Sequence, residues 1–139
     1  MFFEKIMKKY GYKYNDGGRS EAGYKGTCGD CGVRAISIAI GIPYKEAYKL
    51  CAEENQKWGF KKSARNGMMK DVYDRILNQL GWSWVSAPKF SGRKAYCNDL
   101  PNGTYIARQA GHYVAVIDQV PNDTWDSSIK MVYGYWKKL

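Results

Sequence analysis

At Gly81 the hydrophobic period of this chain changes, and that change constrains the fold more than any other feature. Before it, apolar residues recur at helical spacing. Val33, Ala35, Ile36, Ile38, Ala39 and Ile40 are apolar nearly all round, the pattern of a buried helix, which Gly41 ends. Pro43 stands near the start of a second helix carrying Tyr44, Ala47, Tyr48, Leu50 and Cys51. Asn66 and Gly67 open a third, with Met68, Met69, Val72, Tyr73, Ile76, Leu77 and Leu80 on its spacing.

Beyond Gly81 the period is two. Trp82, Trp84 and Val85 suggest one strand and Thr104 to Arg108 another. Tyr113 to Asp118 is a continuous apolar run, as expected of a strand buried on both faces. Ile129 to Trp136 reads as a last strand, with Met131, Tyr133 and Tyr135 on one side. Helices first and strands second predict a segregated α+β domain, its N-terminal helices packed on a C-terminal antiparallel β-sheet. At 139 residues, with no internal repeat, residues 1–139 make a single domain.

Residues 13 to 30 form a polar connection punctuated by Gly17, Gly18, Gly23, Gly26 and Gly29, and a loop of that length in a small domain is more often functional than filler. It ends where Cys31 meets the first helix. A thiol there faces the positive end of a helix dipole, which favours thiolate. Gly29 and Gly32 flank it and let a substrate backbone approach, while unpaired amides at the helix start can stabilise an oxyanion. His112, the one histidine in the chain, follows Gly111 and leads into the apolar strand, so it stands at a strand mouth where a base can work. Asp123 lies in the next turn and could orient the imidazole, with Asp118 and Asp126 as competitors for that role. Asn122 and Asp123 could equally form a plain turn after Pro121.

Lys25-Gly26-Thr27-Cys28-Gly29-Asp30-Cys31-Gly32 resembles the signature of papain-like cysteine peptidases, whose second cysteine opens the central helix. Gly111-His112-Tyr113-Val114-Ala115-Val116 is similar to that family's histidine strand, and Asp123-Thr124-Trp125 to its Asn-Ser-Trp element. The short spacing is most similar to the small bacterial and phage-encoded members. The resemblance implies a papain-like fold and a cysteine hydrolase (peptidase, isopeptidase or amidase) with a Cys31 thiolate, His112 as general base and acid, and Asp123 orienting the ring. It places Gly111 and Trp125 around the histidine and Lys25 where the family has the glutamine of its oxyanion hole. Asn15 is a candidate to replace that glutamine. Gly32 stands where the family has an aromatic.

The rival readings differ in class. Cys28-Gly29-Asp30-Cys31 is also the C-x-x-C of thioredoxin-like oxidoreductases, but no buried strand precedes it. Cys51, Cys97 and His112 lack the paired spacing of a zinc site, so no metal or other cofactor is expected. A papain-like binding module, such as a phage-type inhibitor of an acidic host protein, would keep Cys31 and His112 without using them. Lys plus Arg number 22 against 13 Asp plus Glu, a formal charge of +9. Lys57, Lys61, Lys62, Arg65 and Lys70 follow one another with no acid between them. Such a run is most simply a solvated face; as a field the excess also suits an acidic protein or peptide partner, and nucleic acid is disfavoured because no recognition motif accompanies it. The charged start, Met1 to Tyr10, has no apolar signal region and no stretch reaches membrane-spanning length, so a cytoplasmic protein with reduced thiols is expected, in a host cytoplasm if phage-encoded.

Overall fold

The computed structural model describes residues 11–24 and 29–139. Helix α1 (Cys31–Ile36) runs into a single π turn at Ser37–Gly41. Helices α2 (Tyr44–Lys57) and α3 (Lys70–Gln79) follow. The strands are β1 (Lys13–Tyr14), β2 (Trp82–Ser86), β3 (Thr104–Gln109), β4 (His112–Ile117), β5 (Val120–Asp123) and β6 (Gly134–Lys138). They form one six-stranded sheet in the order β1-β5-β4-β3-β6-β2.

The chain is therefore α+β, with one correction to its sheet. β1 pairs with β5 in parallel, while every other pairing is antiparallel, so the sheet is mixed. β1 had no hydrophobic signature because it is two exposed residues, Lys13 and Tyr14, held by backbone bonding alone. β5 was legible only as a turn. Its Pro121 is tolerated because β1 pairs only at Asn122 and Asp123, so the proline has a strand neighbour on the β4 side alone and its missing N–H can face the unpaired side.

Both faces of the sheet are covered. On one, Val33, Ile36, Tyr73, Ile76 and Leu77 of the helices pack with Ile106, Trp82 and Trp136. On the other, Leu100 and Val132 pack with Ala107, Val114, Val116 and Tyr135. A strand sandwiched this way needs apolar residues on both sides, which accounts for the uninterrupted run in β4. Each fully buried aliphatic chain such as Ile36 contributes about 1.5–3 kcal/mol.

Three boundaries differ from the hydrophobic pattern. The π turn rotates the chain after Ile36, so Ile38 and Ile40 are half-buried rather than central. Ser37 secures this irregular turn, its hydroxyl lying within hydrogen-bond distance of the Gly17 and Ile42 carbonyls (2.9 and 2.7 Å). The third helix begins at Lys70, because Gly67 takes φ 99° and Met69 is extended. The last strand begins at Gly134, where residues 124–133 have wrapped under the second core. No helix among the described residues is long and apolar enough to cross a membrane.

Candidate active site

Three separate elements bring Cys31, His112 and Asp123 to one end of the sheet. Cys31 is the first residue of α1 and is half-buried. His112 is the first residue of β4, set there by a two-residue turn in which Gly111 takes φ 62°, a conformation side-chained residues resist. Asp123 is the last residue of β5, returned by the Asp118–Gln119 turn, where both residues have positive φ.

His112 Nε2 and Asp123 Oδ2 are 2.6 Å apart, with 7% and 4% of the two side chains exposed. Cys31 lies close enough to the same imidazole for each group to stabilise the other's charge. Burial pushes the Cys31 thiol up, but the His112 hydrogen bond and charge, the Tyr113 backbone N–H and the Arg34 charge outweigh it and hold it below the ordinary thiol value. Burial likewise opposes charge on His112, yet Asp123 and Cys31 together raise it above the usual imidazole range. Asp123 is desolvated too, but His112, the Thr124 N–H and Arg34 keep it below the usual carboxylate range. All three shifts favour one state: thiolate, imidazolium and carboxylate in a row.

The carboxylate of Asp123 is held from every side. Ser127 Oγ donates to Oδ2 (3.1 Å) and the Thr124 N–H to Oδ1 (2.7 Å). Arg34 Nη2 lies 3.8 Å from Oδ1, while its Nη1 donates to Thr124 Oγ1 at 2.8 Å. The same guanidinium reaches back to the buried Asp30, with Nε 3.4 Å from Oδ1. Asp30 also meets Arg19 (3.1 Å) and accepts from the Tyr44 hydroxyl (2.6 Å). Arg34 thus bridges two buried carboxylates, one next to Cys31 in sequence and one beside His112 in space.

Trp125 stacks obliquely on His112, ring centroids 4.8 Å apart, and covers the imidazole while remaining 41% exposed. Asn15 is not on the cleft. Its amide donates to Asn122 Oδ1 (3.3 Å) and its backbone N–H to the Asp123 carbonyl (2.9 Å), so it clamps β5 from behind and supplies no oxyanion donor. Gly32 lies on the cleft floor, but its lack of a side chain serves packing. A Cβ there would stand 2.8 Å from the Tyr73 ring, whose hydroxyl donates to the Gly32 carbonyl (2.9 Å). Gly29 faces the Asn66–Gly67 backbone across the cleft rim. Lys25 and Cys28 lie outside the described residues.

A cleft of about 860 Å³ opens over this site. Its floor includes Cys31, Gly32 and His112, and its outer wall is the segment from Phe60 to Lys70. That wall is pinned by Asn55, whose amide donates to the Ser63 carbonyl (2.7 Å), and by buried Ala64. Cys51 and Cys97 are buried free thiols in different cores, both pushed up to about 12, chiefly by burial. No group of three metal-ligating side chains comes together among the described residues.

The residues that sequence reading passed over are Asp30, Arg34, Tyr73, Thr124 and Ser127. Asp30 and Arg34 carried a signal, an acid and a base four apart at a helix start. The rest act through contacts that only the fold creates. No protein-family model matches this chain, and no curated protein or solved structure is significantly similar to it.

Proposed function

We propose that this protein is a cysteine hydrolase of papain-like design, acting on an amide or peptide bond. The observation that carries the reading is Cys31 and His112 together on the floor of an open cleft, with His112 Nε2 held 2.6 Å from the buried Asp123 carboxylate and the thiol and imidazole stabilising each other's charge.

The chemistry balances with these residues alone. The Cys31 thiolate attacks the carbonyl carbon, and the oxyanion that forms is met by backbone N–H groups in the first turn of α1, which have no helical partner. As the C–N bond breaks, His112 gives its proton to the departing amine, leaving a thioester on Cys31. The neutral imidazole then takes a proton from water, whose oxygen attacks the thioester. The C–S bond breaks, the carboxylic acid leaves, and the thiolate–imidazolium pair is restored. Asp123 holds the ring in the tautomer this needs, and Trp125 shields their bond from water.

The test is the pH profile of Cys31 alkylation by iodoacetamide, followed by mass spectrometry. Because the thiol is held below its ordinary value, alkylation should already be fast near neutral pH, and His112→Ala should return the profile to that of a free thiol near pH 8.5. An unshifted profile in the unmodified protein overturns the reading and leaves a binding module in this fold.

A further inference from the structure

The cleft wall is cationic from both sides. Lys61 and Arg65 line it from the segment before α3 and Lys70 from the first residue of α3, and Arg108 lines it from β3. Among the described residues no Asp or Glu lines the cleft. Lys70 is matched by Asp74 at 2.7 Å, one turn along its own helix. Among the described residues, Lys61, Arg65 and Arg108 have no carboxylate within ion-pair distance; Arg108 lies only over the Tyr133 ring, 5.8 Å from its centroid. Three uncompensated cations around one concave surface produce a focused positive potential over the cleft that Cys31 lines.

Resting on the hydrolase reading, we propose that the cleft selects an acidic polypeptide segment, with Asp or Glu side chains flanking the bond presented to Cys31. Phe60 and Met69, both exposed at the rim, give such a chain apolar footing between its charges. A polypeptide is favoured over the other polyanion, nucleic acid, because a thiolate attacks acyl carbon, which a polypeptide carries along its whole length. The same cations also lower the cost of bringing an anionic substrate up to a negatively charged nucleophile. The charge run from Lys57 to Lys70 would on this view be a substrate surface rather than a solvated face.

The experiment uses protection of Cys31 against iodoacetamide in the intact chain. The ligands are a decapeptide alternating Glu and Ala, its Gln–Ala counterpart, and a single-stranded oligonucleotide of equal charge. The Glu peptide should protect at a concentration about tenfold below the Gln peptide at low salt, and the difference should collapse in 0.5 M NaCl, a salt level of roughly 4 Å screening length. Combining Lys61→Ala, Arg65→Ala and Arg108→Ala should erase the preference, each protein being compared with its own unprotected rate. The salt dependence of the unmodified chain stands even if that variant folds poorly. Equal protection by the two peptides, or protection by neither, overturns the proposal while a shifted alkylation profile leaves the hydrolase reading intact. Stronger protection by the oligonucleotide overturns it in favour of nucleic acid. An unshifted profile with Glu-selective protection removes the hydrolase and keeps the acidic ligand.

Discussion

The polar cluster behind His112 and the cleft wall in front of Cys31 are built in opposite ways. Behind the histidine, Asp123 accepts three hydrogen bonds and faces Arg34, and Arg34 in turn reaches Asp30, all within the buried interior. In front, the wall is tied down at Asn55–Ser63 and Ala64, while Lys61 and Arg65 are exposed with no carboxylate within ion-pair distance among the described residues. Desolvated charges persist only when each is matched, so the cluster can have one geometry. Exposed lysines and arginines cost little to leave unmatched, so the wall is free to keep its charge for a ligand. The contrast teaches that the same residue types serve rigid alignment where they are buried and recognition where they are not.

The sharpest break is at the nucleophile. Cys31→Ser should lower turnover of any substrate by at least about 10³-fold, since a hydroxyl at neutral pH is far less nucleophilic than a thiolate. Cys28→Ser should leave turnover largely intact; equal loss in both variants, with reduction of insulin disulfides, would mark a dithiol oxidoreductase instead.

A paired substitution tests the comparison itself. Arg34→Met removes the cation between two buried carboxylates and should cost about 3 kcal/mol in a denaturant titration. Lys61→Ala removes one positive charge from the wall and should stay within about 0.5 kcal/mol of wild type. Similar losses for both would erase the distinction drawn between the regions.

A smaller loss of turnover than at Cys31, about tenfold, is expected at Asp123→Asn, because in the proposed mechanism the thiolate–imidazolium pair forms before substrate arrives and the third group mainly orients the ring. The sign of its pH dependence follows from the shifts. His112 is held above its usual range partly by Asp123, so the amide should move the alkaline limb of the activity profile to lower pH. Asp123 itself titrates below the ordinary carboxylate value, so its contribution to stability is present above that value and is lost as pH falls through the lower, folded one. The stability gap between wild type and Asp123→Asn should therefore narrow in acid, which thermal melts across pH will show.

Much of this molecule was written in local sequence. The period change at Gly81 separates helices from strands, the apolar run of β4 announces a strand covered on both faces, and Cys31 and His112 stand at the element starts where reactive groups can be exposed. Those features are local because periodicity and turn chemistry act over a few residues. Sequence reading singled out Asp123 over Asp118 and Asp126, but tertiary structure brought it to His112, since that meeting depends on the register of β5 against β4. Asn15 was drawn to the back of β5 by a parallel pairing across more than 100 residues, which no local pattern encodes. Gly32 was chosen by Tyr73 from another helix, and the run from Lys57 to Lys70 gained a face only when Arg108 arrived opposite it on β3. Each of these rests on distances between residues far apart in the chain, and such distances are set by how the helices and the sheet pack, not by the identity of neighbours in sequence.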